Sequence, residues 1–496
     1  MHDRGKSDSP VVPTKPSNKA APAAAEVVEE RGLAKENTAS TTRPGRSAGP
    51  GVSSGLDPVR EIARRDRDAR FTALLHHVDL DRLRAAYWAI RPQAAPGVDG
   101  VTWGTYGQDL EGNLRDLHER VHSGAYRASP SRRVYIPKAD GRQRPLGIAT
   151  LEDKVVQRAV VEVLNAVYEV DFLGFSYGFR PGRGPHDALD ALTVGIERKK
   201  VSWVLDADIR DFFTSLDQSW LQKFLEHRIA DKRVLRLIRK WVSAGVIEDG
   251  EWKASEVGTP QGASASPLLA NVYLHYVLDR WARQWRRRNA HGDMIIVRFA
   301  DDFVAGFEHQ ADAQQFLADL RERFAKFALE LHPDKTRLIE FGRNAARDRA
   351  ARGVRKPETF DFLGFTHICG KRKNGRFWLK RITIAKRMRT KLSEINRSLK
   401  QRRHQPIPLQ GQWLASVVRG HLAFYAVPGN TDAVAAFRTQ IGRLWFKALR
   451  RRSQRTRLNW TRMSRLTTRW LPPARVQHPF PAMRFDARIQ GRSPVR

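Results

Sequence analysis

Residues 295–307 read Ile-Ile-Val-Arg-Phe-Ala-Asp-Asp-Phe-Val-Ala-Gly-Phe, two β-prone apolar runs on either side of a polar pair. The pattern predicts a strand, a tight turn and a second strand, with Asp301 and Asp302 at the tip. Two adjacent carboxylates repel each other and raise each other's pKa, so a cation should sit beside them. Mg²⁺ is the obvious candidate, because it prefers oxygen ligands. Taken alone, an Asp-Asp pair after a strand is more typical of a solvated turn.

A third carboxylate comes from residues 203–208, Trp-Val-Leu-Asp-Ala-Asp, which we predict to be an apolar strand. Side chains alternate along a strand, so Asp206 and Asp208 share a face, and only the one nearest the strand end need reach a metal. If this strand lies beside the hairpin, Asp208, Asp301 and Asp302 form a two-metal site. In such a site, two ions about 3.5–4 Å apart clamp the attacking and leaving oxygens of a phosphoryl transfer.

The composition points to a polyanion as the partner. The chain has 496 residues, 41% of them hydrophobic, and this length and composition suit two or three domains with hydrophobic cores. Its formal charge is +35. Residues 371–496 hold 31 Lys and Arg against three acidic residues, a net charge of +28, which leaves +7 for the first 370. A charge run is usually a solvated face, but here aromatic residues are interleaved with the arginines. That mixture favours binding to RNA or single strands.

Several classes of protein are excluded or disfavoured. Cys369 is the only cysteine, so disulfides within the chain and multi-cysteine zinc sites are excluded. The sequence has no apolar run near 18 residues and no signal peptide, so we expect a cytoplasmic protein without a membrane partner. Residues 1–56 are rich in Pro, Ser, Ala and Thr, and we expect them to be disordered.

Other segments predict the elements around the carboxylates. Residues 132–148 read as a hairpin with an Asp-Gly turn, which would cluster Lys138, Arg142 and Arg144; exposed hairpin cations are also commonly just solubilising. The glycine-rich loop at 175–184 either lets backbone approach a ligand or is simply a turn. Residues 258–262 form a turn that opens a helix, and residues 360–365 read as one short apolar strand with a glycine. Helical stripes at 388–399, 413–425 and 434–449 predict a small bundle coated with Arg and Lys.

The ordered set of motifs resembles the reverse transcriptases encoded by bacterial group II introns, also called maturases, from about residue 57 to 496. The matching motifs are, in chain order, Pro-Gly-Val-Asp-Gly at 96–100, Arg-Pro-Leu-Gly-Ile at 144–148, Phe-Ser-Tyr-Gly-Phe-Arg-Pro-Gly-Arg at 175–183, Asp-Ile-Arg-Asp-Phe-Phe at 208–213, Pro-Gln-Gly at 260–262, Phe-Ala-Asp-Asp at 299–302, Leu-His-Pro-Asp-Lys at 331–335 and Phe-Leu-Gly-Phe at 362–365.

This resemblance implies an α+β right-hand polymerase followed by an all-α thumb, or maturase, domain. The implied domains are an N-terminal extension with fingers at 57–200, a palm with remaining fingers elements at 201–370, the thumb at 371–470 and a short basic DNA- or RNA-binding tail at 471–496. The implied metal ligands are Asp208, Asp301, Asp302 and the backbone carbonyl of Ile209. They would hold two Mg²⁺ ions, or Mn²⁺ in their place.

The same resemblance implies roles for individual side chains. Lys138 and Arg144 would hold the dNTP triphosphate, Gln261 and Gly262 would lie under the nascent base pair, and Phe213 would exclude the ribose 2′-OH. The alternative for Phe213 is a core aromatic residue. Lys335 would neutralise or protonate the pyrophosphate leaving group. Three further residues would contact the primer and template: Phe299, Leu363 and Gly364.

Two departures from the family pattern matter. Phe299 stands where the family usually has tyrosine, which removes only a hydroxyl, so we expect activity to persist. The chain stops soon after Trp470-Leu-Pro-Pro without the zinc-bearing His-Asn-His endonuclease of many relatives, so we do not expect it to cleave target DNA.

The function we expect is RNA-directed DNA polymerisation together with binding of the intron RNA to promote splicing. The partners would be intron RNA, an RNA template with a DNA primer, dNTPs and target DNA, and a homodimer is an open option. One alternative is a splicing cofactor without polymerase activity. A weaker alternative is a polymerase that takes rNTPs.

Overall fold

The computed structural model of the protein describes residues 54–137, 143–248, 251–253, 262–354, 356–453 and 457–489. Lys138, Arg142, Gln261 and the predicted Asp-Gly turn lie outside these ranges, as do residues 1–53 of the segment that we expect to be disordered. Across the described ranges, no helix is long and apolar enough to cross a membrane.

The strands of the described residues form three sheets. In chain order they are β1 (Ser131–Pro137), β2 (Gln143–Ile148), β3 (Trp203–Asp208), β4 (Val246–Glu248), β5 (Glu251–Lys253), β6 (Met294–Phe299), β7 (Asp302–Phe307), β8 (Arg337–Glu340), β9 (Phe360–Phe362), β10 (Phe365–Lys371) and β11 (Phe377–Thr383). We call them the hairpin sheet (β2-β1-β4-β5), the central sheet (β6-β7-β3-β8) and the connecting sheet (β11-β10-β9).

The helices surround the central sheet and then form a separate bundle. They are α1 (Asp57–Arg65), α2 (Leu80–Ala89), α3 (Trp103–Tyr106), α4 (Leu110–Ser123), α5 (Leu151–Tyr168), α6 (Pro185–Arg198), α7 (Phe212–Ser215), α8 (Gln218–Glu226), α9 (Lys232–Ser243), α10 (Ser266–Leu274), α11 (Arg280–Arg288), α12 (Gln310–Ala325), α13 (Ala345–Ala351), α14 (Ala385–Gln401), α15 (Ile407–Tyr425), α16 (Thr431–Arg450), α17 (Trp460–Trp470) and α18 (Pro481–Ile489).

The central sheet is antiparallel throughout, and its alternation decides where the carboxylates point. Leu205 and Ala207 of β3 face the larger hydrophobic core, which includes α5, α10 and α12. Val204 faces the opposite way, into a second core with α6 and the connecting sheet. Because side chains alternate along a strand, Asp206 and Asp208 continue the face of Val204. The carboxylates therefore emerge on the α6 side of the sheet.

The folded part begins before the predicted boundary at residue 57. Ser54–Leu56 form a 3-10 turn ahead of α1, and the side chain of Leu56 is buried in the larger core. Leu56 is apolar and directly precedes α1, so it packs with the helix rather than with the polar segment before it. The segment that we expect to be disordered therefore ends at least three residues earlier than predicted.

The connecting sheet corrects two further predictions. Residues 360–365 are two antiparallel strands, with Phe362 opposite Phe365, rather than one. Leu363 (φ 46°) and Gly364 (φ 84°) are both left-handed, and this reverses the chain between them. The expected boundary at 370/371 falls inside β10, and β11 follows it. The region from residue 371 is therefore not all-helical, because its first structured element completes a sheet.

The helical bundle comprises α14 to α17 around its own core, which includes Leu399, Leu414, Val418, Ile441 and Trp445. The helical stripes of the sequence predicted the first three of these helices. The chain then returns to the central part of the molecule, where α18 packs against α6. The described part of the expected C-terminal tail, residues 471–489, thus ends in a docked helix.

Candidate active site

The carboxylates come together at one end of the central sheet. Asp208, the last residue of β3, lies directly opposite Asp302, the first residue of β7. Phe299, the last residue of β6, also lies opposite Asp302 from the other side. Ala300 and Asp301 form the two-residue turn between β6 and β7, and Ala300 adopts the left-handed φ of 57°. The predicted adjacency of Asp208, Asp301 and Asp302 is present in the structure.

The electrostatics of this group favour a bound cation. Burial raises the pKa of Asp302, and the carboxylates of Asp206, Asp301 and Asp208 raise it further. Burial also raises the pKa of Asp301; Asp208 adds to the rise, while Arg144 and Lys335 oppose it. Carboxylates in this situation gain most from a divalent ion, because the ion removes their mutual repulsion.

Lys335, whose role at the leaving group stays a prediction, lies beside this group. Its ammonium donates a hydrogen bond to the Asp208 carboxylate. The loop that carries it is held against β3 by backbone bonds from His332 N to Asp208 O (2.8 Å) and from Arg210 N to Glu330 O (2.8 Å). Ile209, the implied carbonyl ligand, lies between these bonds in an isolated bridge with Leu331. Lys335 is therefore fixed within reach of any group that binds at Asp208.

The carboxylates are chemically suited to a hard divalent ion, but their oxygen atoms are not arranged as a coordination sphere. Among the described residues, no group of three or more His, Cys, Asp or Glu side chains is arranged to hold a metal. The oxygen atoms of Asp208, Asp301 and Asp302 are nevertheless the ligands that Mg²⁺ prefers. One of the Asp208 oxygens is engaged by Lys335. Ion binding at this site would therefore require small rearrangements of these side chains.

The predicted nucleotide-binding residues are only partly within the described ranges. Arg144, on β2, is close enough for its charge to lower the pKa of Asp301. Gly262 (φ 109°) lies against the same strand, since a Cβ there would come 2.8 Å from Gly147 O. The hairpin sheet is thus joined to the turn before α10. Lys138 and Gln261, the other two members of this set, lie outside the described residues.

The two aromatic residues of the predicted site take different positions. Phe213 is half-buried in α7, where its ring packs edge-on against Phe212 and against the larger hydrophobic core. Helix α7 begins just after Asp211, whose left-handed φ of 42° redirects the chain after β3. Phe299 is buried, with its ring 6.4 Å from that of Phe179. Neither position excludes the predicted role.

Leu363 and Gly364 form the sharp turn between β9 and β10, and this turn abuts the bundle. A Cβ on Gly364 would lie 3.1 Å from the hydroxyl of Tyr425 and 3.5 Å from Nη1 of Arg387. Arg387, near the start of α14, also lowers the pKa of Asp302. The sequence analysis missed Arg387, which is one of many arginines in a basic region and carries no local signal.

A buried arginine under the turn was also missed. Arg298 of β6 is fully buried and donates to Asp279 (2.7 and 2.6 Å), to Asn271 Oδ1 (3.0 Å) and to Ser176 Oγ (2.7 Å). It also donates to the carbonyl of Ala300 (2.8 Å), which belongs to the turn itself. Asp279 ends a single π-helical turn between α10 and α11. Arg298 therefore links the Asp-Asp turn to that helix and to the 175–184 loop.

The glycine-rich loop at 175–184 packs closely beneath the carboxylate turn. A Cβ on Gly178 would lie 2.2 Å from Ala300 N, so only glycine fits beneath the turn. The Gly178 carbonyl accepts a hydrogen bond from Asn271 (2.7 Å). Arg180 is buried and donates to Ser176 O (2.7 Å) within its own loop and to Glu169 at the end of α5. The loop is a support for the carboxylate turn.

A fourth carboxylate lies beside the three predicted ones. Asp206 accepts a hydrogen bond from Arg337 of β8 (3.3 Å). Its pKa is raised to about 6, mainly by burial, although Arg337 opposes the rise. As predicted from the strand alternation, it shares the face of Asp208 but lies two residue pairs further from the strand end.

Comparison with known proteins places this site in a family. Residues 136–367 match the family described as reverse transcriptase (RNA-dependent DNA polymerase). Protein YkfC of Escherichia coli is 35% identical over 277 residues, which cover 49% of this chain and 72% of YkfC. The group II intron-encoded protein LtrA of Lactococcus lactis is 32% identical over 235 residues, 47% of this chain and 39% of LtrA.

A further relative is the 91 kDa protein of the cob intron of Schizosaccharomyces pombe, 39% identical over 184 residues, or 36% of this chain and 22% of that protein. The chain thus covers well under half of these two intron proteins. Residues 136–367, which match the reverse transcriptase family, contain Asp208, Asp301, Asp302 and Lys335. The chain belongs to the reverse transcriptase family and, within it, to the group II intron-encoded reverse transcriptases and maturases.

Proposed function

We propose that the chain copies RNA into DNA at the Asp208–Asp301–Asp302 site by two-metal nucleotidyl transfer, and that its bundle binds intron RNA and assists splicing. The observation that carries the polymerase proposal is the direct pairing of Asp208 with Asp302 next to the Asp301 turn. Three carboxylates at one sheet end, with Arg144 and Lys335 acting on them, form a site for a triphosphate and divalent ions.

In this proposal, the central sheet is the palm, the hairpin sheet belongs to the fingers and the bundle is the thumb. Arg144 binds the triphosphate of the incoming dNTP, because its guanidinium already acts on Asp301. Gly262 leaves room for the nascent base pair beside β2. Phe213 lies in α7, which begins shortly after Asp208, and in this proposal its ring would meet a ribose 2′-OH.

Asp208, Asp301, Asp302 and the Ile209 carbonyl would hold Mg²⁺ or Mn²⁺. When bound, the two ions would lower the pKa of the primer 3′-OH and offset the charge that develops on the phosphates. Lys335 is held by the His332 backbone beside Asp208, where its ammonium can neutralise or protonate the departing pyrophosphate. Leu363 and Gly364 hold the primer end against Tyr425 and Arg387.

The bundle supplies the RNA-binding surface of this proposal. Lys and Arg coat its outer faces, while its apolar stripes fill its own core. Phosphate neutralisation at such a surface releases counterions, so RNA affinity should fall steeply with salt. The partners in this proposal are folded intron RNA, a primed RNA template and the DNA into which the intron inserts.

The decisive experiment replaces Asp301 and Asp302 by Ala and measures two activities on the same preparations. DNA synthesis on a DNA-primed RNA template should fall by about three orders of magnitude, because the loss of metal ligands removes several kcal/mol of transition-state stabilisation. Splicing of an intron RNA that depends on the protein should persist. The control is Asp116→Ala, which removes an exposed carboxylate in an ion pair with Arg120 on α4.

The outcomes separate the candidate functions. Undiminished DNA synthesis in both variants would show that the metal site is assigned wrongly. If the wild-type protein makes no DNA on any primed RNA but supports splicing, the protein is a splicing cofactor only. Phe213→Ala tests sugar selection: increased use of rNTPs supports the gate, and unchanged sugar choice favours the rNTP polymerase.

A further inference from the structure

A groove between α16 and α17 has the size and lining of a nucleotide-binding site. Its volume is about 360 Å³, and it is lined by Arg438, Thr439 and Arg443 from α16 and by Trp460, Ser464 and Thr467 from α17. At its floor, a Cβ on Gly442 would lie 3.2 Å from Thr467 Cγ2. The helices thus approach closely below a recess that offers an aromatic ring, hydroxyl groups and guanidinium groups.

Trp460 provides a stacking platform in this groove. The residue is 54% exposed, although tryptophan is usually well buried. Its ring stacks on that of Phe446, with centroids 4.2 Å apart and planes 24° apart. Phe446 thus backs one face of the indole and helps to hold the ring in place. An aromatic side chain held in this way is the usual support for an unpaired base.

The two arginines of the groove differ in their availability. Arg438 is engaged at the end of α17, where it donates to Pro472 O (2.9 Å) and to Thr467 O and Leu471 O (both 3.2 Å). Arg443 is exposed, and no ion pair joins it to a carboxylate within the described ranges. Residues 433–485 contain thirteen Lys and Arg and no Asp or Glu. Arg443 is therefore available for an anion from outside the protein.

The groove is separate from the surface that faces the carboxylates. Arg387, the bundle residue that acts on Asp302, lies on α14. Helix α14 packs on α16, whereas α17 packs on α15 and α16. On α16, Phe437 stacks on His421 in the interior. Thr439 and Arg443, which line the groove, are exposed, whereas Ile441 between them belongs to the bundle core, because successive helical residues are turned by about 100°. The groove therefore lies between a different pair of helices from the helix whose arginine acts on the carboxylates.

We infer that this groove binds one unpaired nucleotide of a folded RNA, with its base stacked on Trp460 and its phosphate bound by Arg443. The hydroxyl groups of Thr439 and Ser464 lie beside these two residues and can bond to the phosphate or ribose. The inference rests on the proposed RNA-binding role of the bundle and names the feature of RNA that the bundle selects. An A-form duplex has no free base to place there, so paired RNA would leave the groove empty.

The test uses the full chain and two labelled RNA hairpins that are identical except for one bulged adenosine. Fluorescence anisotropy should show that the wild-type protein binds the bulged hairpin at least about ten-fold more tightly, in line with the worth of one base stack. Trp460→Ala should abolish that preference, and Trp460→Phe should keep most of it. Arg443→Ala should weaken binding of the bulged hairpin more than Arg397→Ala, which removes an exposed arginine of α14.

Equal affinity of the wild-type protein for both hairpins would overturn the inference, as would an undiminished preference in Trp460→Ala. Trp460 is largely exposed, so its replacement should leave the circular dichroism spectrum and the melting temperature close to wild type. If the carboxylate variants retain DNA synthesis while Trp460→Ala loses the bulge preference, the polymerase proposal fails and the groove stands.

Discussion

Arg298 and Asp279 form a fully buried ion pair directly beneath the Asp301–Asp302 turn. Both side chains have no exposed area, and the two hydrogen bonds between them measure 2.7 and 2.6 Å. The remaining guanidinium N–H groups donate to Asn271, Ser176 and the Ala300 carbonyl, so each N–H of the guanidinium has a hydrogen-bond acceptor. A buried charge of this kind is tolerable only when it is fully paired. The arrangement fixes the peptide that immediately precedes Asp301.

We predict that Arg298→Lys impairs DNA synthesis more than it impairs folding, because lysine keeps the charge but cannot make the same set of directed bonds. Asp279→Asn, which leaves Arg298 unpaired, should lower the free energy of unfolding by about 3–5 kcal/mol. Thermal denaturation measures the stability, and Mg²⁺ titration of primer extension measures the site. For Arg298→Lys we expect a higher Mg²⁺ requirement.

Ser176→Ala is the milder companion, because it removes one hydrogen bond and should cost about 1 kcal/mol. If Arg298→Lys kept the wild-type Mg²⁺ dependence and differed only in melting temperature, Arg298 would act on folding alone.

Gly178 provides a second test of the support under the turn. A Cβ at this position would meet Ala300 N at 2.2 Å, and neither backbone can yield without moving Asp301. Gly178→Ala should therefore reduce the rate of DNA synthesis by about ten-fold or more, since displacement by about 1 Å costs up to about 100-fold. The matched control is Gly420→Ala in α15, where nothing lies within 4 Å. That control should be neutral or slightly stabilising, and equal losses in both variants would contradict the argument.

The strands could be predicted from the sequence because their apolar runs are typical of β-strands. Asp208 and Asp302 stand where such a run meets polar residues, so they were expected near strand ends, where the structure has them. Their pairing followed from the expectation that neighbouring strands share a sheet. Arg298 could not be predicted, because in sequence it is one polar residue inside an apolar strand. Its partners Ser176 and Asp279 lie 122 and 19 residues away and carry no local pattern.

The misread strand at 360–365 has a similar cause. Its reversal depends on positive φ at Leu363 as well as at Gly364, and leucine gives no indication of that conformation. The docking of α18 was missed because the C-terminal residues read as a generic basic segment. Long-range partners decide both features, and sequence periodicity reports only local ones.

His421 predicts how the stability of the bundle depends on pH. Its ring stacks on Phe437 with centroids 3.6 Å apart. Burial, with the nearby charge of Lys391, lowers its pKa to about 3. The unfolded chain therefore takes up a proton below about pH 6.5 before the folded chain does, so stability is lost as the pH falls. His421→Phe keeps the stacking and removes the proton. Between pH 6 and pH 4, the unfolding free energy of the wild type should therefore fall more steeply than that of the variant, by up to about 1.4 kcal/mol per pH unit. Urea denaturation at each pH measures both free energies. Equal slopes for the two proteins would contradict this prediction.

Arg387 is predicted to bind a phosphate of the primer. Its guanidinium lies over Gly364 and acts on Asp302, and the residue is exposed. Arg387→Ala should raise the KM for primer–template while changing kcat little, and it should lower the salt slope of binding by about 0.7–0.9. Arg389→Ala, two residues along the same helix and also exposed, is the control. A loss confined to kcat at saturating primer–template would instead place Arg387 in the chemical step.

The last prediction concerns the docking of α18 on α6. Asp190 of α6 is buried between Arg381 of β11 (3.1 Å) and Arg484 of α18, so one carboxylate joins α6, the connecting sheet and the C-terminal helix. A second pair, Arg198 with Asp486 (2.7 Å), joins the same two helices but is exposed on both sides. The two pairs provide a matched comparison.

Arg484→Ala should lower the free energy of unfolding by about 3 kcal/mol and expose α18 to limited proteolysis, because it removes a partner of a buried carboxylate. Arg198→Ala should cost at most about 1 kcal/mol, as exposed pairs do. Since α18 follows the bundle in the chain, its release should also free the bundle from the central sheet. Primer extension by Arg484→Ala should then end in shorter products at equal initial rate. Equal stability losses in the two variants would show that the buried triad contributes no more than the surface pair.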